Sequence, residues 1–326
     1  MSSSDDGAAT EGASLVEAPR TDAVVAAEPA AAASALAAAR SSSNGSAAAS
    51  PPQPPADAAP SEAGGAAPAA DDGGLVPPLP RVPWGLNTTA TLMVLWLLCF
   101  YVSAYTIVPF VLERAGLDPA AAAAGVPQAL RHLLLDLSQL GFTLALLARM
   151  LGPYSPRGLG LFRAPLRPLK DWLPSVAGGA LLFPMVDWLH RTMVALLAAA
   201  AAAPAPLVAP AAEGAAGAGV GVAAGDLASR CVWVVGLTVV APVWEELLFR
   251  GFLLPSLARR LPPAAAVAAT SLLFALVHFT QEGFVPLLVL GAVFGAAYAR
   301  TRNLLAPVAL HSLWNVWLLA TLALGG

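Results

Sequence analysis

From about residue 84 to the end, the chain alternates long apolar stretches with short polar or proline-rich joints. Seven stretches stand out as candidate spans: 89–112, 130–151, 172–200, 230–254, 263–279, 284–300 and 304–324. A helix needs about 20 apolar residues to cross the hydrocarbon core of a bilayer. Lipid offers backbone groups no partners, so segments that cross it satisfy themselves as helices or closed barrels. The pattern therefore predicts an all-α fold, a polytopic transmembrane helical bundle of about seven to eight helices. The stretch 172–200 is the most interrupted, with Pro174, Pro184, Asp187, His190 and Arg191 inside it. It reads as one kinked helix or as two shorter pieces. Between 201 and 229 the chain is an Ala/Gly/Pro loop.

Residues 1–83 follow a different rule. They are Ala, Ser, Pro and Gly with scattered acids and no apolar period. Such a segment buries too little surface to offset its chain entropy, which predicts a disordered N-terminal tail. Its Ala and Ser richness also fits an organellar transit region. Asp5, Asp6, Glu11, Glu17, Asp22 and Glu28 run against that, because transit peptides are poor in acids. The expected division is a tail or transit region at 1–83 and a transmembrane domain at 84–326.

Composition agrees with a membrane protein. The 326 residues are 57% hydrophobic and 11% charged, against about 25% charged in soluble domains, and the mean hydropathy is +0.69. The net charge is −3, with Lys170 the single lysine among 17 basic residues. No basic patch or tail is present, which argues against a nucleic-acid partner. Cys99 and Cys231 sit in apolar segments without metal-ligand spacing, so no disulfide framework is expected. The ending Leu324-Gly325-Gly326 is not a prenylation box.

Loop charges orient the bundle. With seven spans, Arg81, Arg149, Arg157, Arg163, Arg167, Lys170, Arg259, Arg260, Arg300 and Arg302 fall on one side. Arg114, Arg131, Arg191 and Arg230 fall on the other. Basic residues collect on the cytoplasmic side of membranes, so the N-terminus is expected on the cytoplasmic or stromal side. Gly291 and Gly295 form a GxxxG in the sixth span, which permits close helix contact.

The candidate chemistry sits in the last spans. Glu245 and Glu246 are adjacent near the end of an apolar run, and carboxylates at membrane depth persist mainly where they are paired or react. On a helix Glu246 and Arg250 are four apart and share a face. Glu245 points about 100° away. Arg250 thus neutralises Glu246 and leaves Glu245 free, and a free desolvated carboxylate suits a general base. Pro242 removes a backbone hydrogen bond one turn earlier and can open the helix there. His278 follows a second apolar segment that begins at Ser271, with Phe274 one turn before it. His311 and Asn315 share a face of the last helix, and together their donors can hold an oxyanion. Each group alone fits an interfacial or interhelical structural role. Their joint occurrence in three consecutive apolar segments points to a buried hydrolytic site. Asp136, Ser138 and Gln139 in the second span, and Asp187 with His190 or Arg191 in the third, fit structural pairing instead.

Residues 230–316 resemble the CPBP family of CaaX proteases and bacteriocin-processing enzymes, also called the Abi family of intramembrane proteases. The resemblance rests on Glu245-Glu246-x-x-x-Arg250, Phe274-x-x-x-His278 and His311-x-x-x-Asn315, in that order. Phe252 to Leu257 and His311 to Asn315 look most like the branch found in plant plastids and cyanobacteria. The resemblance implies roles for six site residues. Glu245 activates the attacking water with help from His278, Glu246 pairs with Arg250, and His311 and Asn315 hold the oxyanion. A Glu, His, His set can bind zinc. With no HExxH helix and a single unpaired carboxylate, the metal-free glutamate mechanism is expected ahead of zinc, and no other cofactor is expected.

The function expected is an intramembrane endopeptidase acting on a membrane-associated protein or a lipidated, for example prenylated, peptide. The alternative is a non-proteolytic membrane scaffold or protein-stabilising factor with the same fold. A third option is a transporter, since polar groups inside a bundle also mark ion paths. The expected location is a plastid membrane, with a bacterial inner membrane or the endoplasmic reticulum as alternatives. Neither the first three spans nor the 201–229 loop carries a recognisable specificity feature.

Overall fold

A computed structural model describes residues 76–117, 125–156, 158–202, 226–281 and 283–325. Most of the expected tail, most of the 201–229 loop and Arg157 lie outside these described residues. Among the described residues all regular structure is helical. Helix α1 runs Leu86–Arg114, α2 Gly125–Leu151, α3 Leu173–Ala180 and α4 Phe183–Ala202. Helix α5 runs Leu227–Ala258, α6 Pro263–Leu276, α7 Phe284–Thr301 and α8 Leu305–Gly325. Five helical segments are long and apolar enough to cross a membrane: α1, α2, the α3–α4 pair, α5 and α7. The protein is a polytopic helical membrane bundle.

Two details depart from the simple reading. The interrupted stretch 172–200 is resolved as two pieces, α3 and α4, joined by a tight turn at Leu181 and Leu182. The stretch 263–279 yields only the 14-residue α6. It stops because Phe279 takes a left-handed backbone with φ 51°, which ends the helical path just after His278.

One end of the bundle is tied by contacts between distant segments. Residues 76–83, grouped with the tail by composition, run along this end, where Val82 is buried. The Trp84 indole donates to Ser256 Oγ at 2.8 Å. Tyr298 donates to the Leu161 carbonyl at 2.7 Å, and the Leu304 amide to the Arg163 carbonyl at 2.8 Å. These contacts bring together the N-terminus of α1, the α2–α3 connection, the end of α5 and the α7–α8 joint.

Glycines decide how closely the inner helices approach. A Cβ on Gly291 of α7 would lie 2.9 Å from the Ser271 Cα of α6, and one on Gly295 would lie 3.1 Å from Val267 Cγ1. The hydrogen at Gly291 lets α6 and α7 touch backbone to backbone, and Gly295 makes room for the Val267 side chain, as expected of a GxxxG face.

Candidate active site

Helix α5 is interrupted twice by wider, π-helical turns, at Gly236–Val240 and Leu247–Leu253. A third lies in α1 at Ser103–Ile107. Each ends two residues before a proline: Pro242, Pro255 and Pro109. Proline has no N–H to give the preceding turn. In a π turn the N–H of residue 242 would meet the carbonyl of residue 237. That orphaned Leu237 oxygen instead accepts from Asn315 Nδ2 of α8 at 2.6 Å. The proline thus opens a backbone acceptor, and an amide from another helix fills it.

The glutamate pair lies between the two π turns, and its members face different surroundings. Glu246 is fully buried. Its Oε1 accepts from Arg250 Nη1 at 2.8 Å and meets His311 Nδ1 at 3.0 Å. Arg250 Nη2 donates to the Gly291 carbonyl at 3.0 Å, so Gly291 supplies an acceptor as well as room for α6. The guanidinium lies 4.6 Å from the Phe274 ring centre and 5.4 Å from that of Phe294. A desolvated cation over a ring gains about 2 kcal/mol. Glu246, Arg250 and His311 therefore join α5, α7 and α8 into one buried network.

Glu245, one residue earlier, turns to a cavity of about 250 Å³. Its Oε2 stands 3.8 Å from His278 Nε2 and 4.0 Å from His311 Nε2, and has no hydrogen-bond partner among the described residues. His278 Nδ1 is 2.6 Å from the Phe274 carbonyl. A carbonyl only accepts, so Nδ1 carries the proton and, in the neutral ring, Nε2 presents a lone pair towards Glu245. His311 stacks on Phe294 at 5.2 Å, which holds its ring plane. Glu245, His278, His311 and Asn315 all line this cavity, while Glu246 and Arg250 stand behind it.

Two further residues line the same cavity, His132 and Asp136 of α2. The Trp244 indole reaches Asp136 Oδ1 at 3.4 Å. Gly236 of α5 lies against Asp136 and Leu133 of α2, at ordinary contact distance. The sequence leads to structural pairing for Asp136, and its contact with Trp244 fits that, while it also lines the cavity. Its place on the cavity wall depends on a crossing of α2 and α5 that no spacing in the chain encodes. The third-span acid does act structurally: Asp187 accepts from Arg191 Nε at 2.9 Å, on a partly exposed surface.

Tetrahedral zinc with ligands about 2.0–2.1 Å away holds them about 3.4 Å apart. The Glu245 oxygen is farther than that from both imidazole nitrogens, at 3.8 and 4.0 Å. No group of three or more His, Cys, Asp or Glu among the described residues is arranged to hold a metal ion.

These features define an integral membrane bundle with a buried carboxylate–imidazole site. Residues 227–317 match the family model described as type II CAAX prenyl endopeptidase Rce1-like. No curated protein matches the chain, and no solved structure does.

Proposed function

We propose that the protein is an intramembrane endopeptidase that hydrolyses a peptide bond with a glutamate-activated water. The observation that carries this is the split between adjacent glutamates. One is consumed by an ion pair, and the other faces a cavity together with two imidazole nitrogens. A water between Glu245 and His278 gives one proton to the carboxylate and one hydrogen bond to Nε2. Its oxygen attacks the scissile carbonyl as the O–H bond breaks. The resulting oxyanion takes hydrogen bonds from His311 Nε2 and from the second N–H of Asn315. In this scheme His311 carries a proton on each ring nitrogen, one for Glu246 and one for the oxyanion. Collapse of the tetrahedral intermediate breaks the C–N bond, and Glu245 returns its proton to the leaving amine. Zinc has no part in the scheme, so chelators should leave activity unchanged.

Leu287, Leu290 and Leu318 line the cavity beside the polar groups, which suits a membrane-associated substrate, and a mobile, prenylated C-terminus meets that description. The membrane is proposed to be that of a plastid, on the motif resemblance alone.

The test compares membrane-protein cleavage products in cells lacking the protein, restored with wild type or Glu245→Gln at equal abundance. New peptide termini seen only with wild type establish the protease and name its substrate. Identical peptides from both, with full rescue by the variant, overturn the proposal in favour of a scaffold, whose Glu246–Arg250–His311 network would survive the change.

A further inference from the structure

A second cavity, of about 210 Å³, lies at the α7–α8 joint, lined by Arg163, Arg167, Asp171, Trp172, Arg302 and Asn303 among others. Its charged lining is three guanidiniums against one carboxylate. The wall is built, not incidental. Asn303 is buried, donates from Nδ2 to the Pro165 carbonyl at 2.8 Å, and accepts the Leu305 amide on Oδ1 at 2.9 Å. The Leu304 amide donates to the Arg163 carbonyl at 2.8 Å. The buried Trp172 indole donates to the Leu166 carbonyl at 3.1 Å. The loop carrying two of the arginines is therefore clamped to the loop carrying the third.

Arg302 itself has a left-handed backbone, φ 52° and ψ 28°, where α7 ends. That position favours glycine, and a side chain there is held at a cost. Its Nη1 is buried and has no hydrogen-bond partner among the described residues. A strained arginine on the wall of a cavity lined by two more guanidiniums, with one of its own nitrogens unpartnered, points to an anion. Beside the cavity, Leu166 and Leu169 are 63% and 47% exposed, and the site lies where α7 ends and α8 begins, at the depth where spans leave the apolar layer. Free phosphate has no use for exposed leucines, whereas an anionic lipid matches both features.

We propose that this cavity binds the phosphate headgroup of an anionic membrane lipid. The planar guanidinium forks grip the phosphate oxygens, and the lipid's chains lie against Leu166 and Leu169. The site is distinct from the Glu245 cavity and does not depend on proteolysis.

Native mass spectrometry of the detergent-purified full chain tests this, using phosphatidylglycerol and phosphatidylcholine with identical acyl chains. Wild type should retain phosphatidylglycerol about tenfold more strongly, a difference of about 1.4 kcal/mol. Arg302→Gly should lose that preference while its lipid-free unfolding temperature stays at or above that of wild type, because glycine relieves the left-handed strain. Arg167→Gln, an exposed position, should also weaken retention, and Arg260→Gln on the same end of the bundle should not. Equal retention of the two lipids overturns the proposal, as does an Arg302→Gly protein that keeps the preference. A loss of equal size in Arg260→Gln would mean diffuse surface charge. Complete displacement by millimolar inorganic phosphate would mean a free-anion site.

Discussion

The first and second halves of the bundle are both apolar, yet they are packed differently. In the most apolar stretches of α5 and α7, 61% and 44% of residues are buried. In α1, α2 and the α3–α4 pair the shares are 17%, 17% and 11%. Apolar side chains gain little by leaving lipid for protein, so greasiness does not bring membrane helices together. What distinguishes the second half is its polar groups and its glycines. Gly291 and Gly295 let α6 and α7 touch, and Glu246, Arg250 and His311 bind α5 to its neighbours. The first half offers leucines and tyrosines outward, such as Tyr105 and Leu181, and contributes Asp136 and His132 to the cavity from its inner side. Chemistry and cohesion thus share one half, and the other half packs against it.

Adjacent glutamates give the sharpest way to break this comparison. Glu245→Gln should lower cleavage about a thousandfold, as loss of a general base does. Its unfolding midpoint should stay within about 0.5 kcal/mol of wild type, because the Glu245 Oε2 makes no hydrogen bond among the described residues. Activity is read on the substrate found by terminal-peptide comparison and stability by denaturation in detergent. A Glu245→Gln protein that cleaves normally would end the proposed division of labour.

Cohesion is tested next by Arg250→Met. Methionine fills a similar space but leaves Glu246 buried with only His311 beside it, and removing one partner of a buried ion pair costs about 3–5 kcal/mol. Thermal unfolding should show a collapse of stability before any question of activity arises. Gly291→Ala follows, with a smaller effect. Its new methyl would press on the Ser271 backbone at 2.9 Å, and forced overpacking costs about 1–3 kcal/mol. The same denaturation measurement checks it, and a neutral result would mean that α6 and α7 slide apart freely.

The chain's text shows some of this plainly and hides the rest for physical reasons. Helical phase alone separates Glu245 from Glu246 and pairs the latter with Arg250, because a four-residue spacing is a local fact. The shared face of His311 and Asn315 was also legible, and both line the cavity. The Asn315 bond to Leu237 was not, because that depends on how α8 lies against a π turn in α5. The π turns themselves had a signal in Pro109, Pro242 and Pro255, each inside an apolar run, and only the second was read as an opening. His311 meeting Glu246, and Asp136 reaching the cavity, are crossings between helices. Residue spacing says which faces of one helix are shared, and it is silent about which helix stands opposite.

The smallest expected effect tests the outer half. Leu98 of α1 is 55% exposed at a depth where the surroundings are acyl chains. Leu98→Ala exchanges a side chain in contact with lipid for a smaller one in the same solvent. It opens no internal cavity, so the change should stay within about 0.5 kcal/mol. A buried leucine such as Leu248 in α5, 0% exposed, should instead lose about 2–5 kcal/mol on the same substitution, since a void is left among fixed neighbours. Measured side by side in one detergent, the two variants turn the contrast between the halves into a ratio. Equal losses would show that α1 is covered by protein where it is drawn against lipid, either by a partner chain or by residues of this chain outside the described ones.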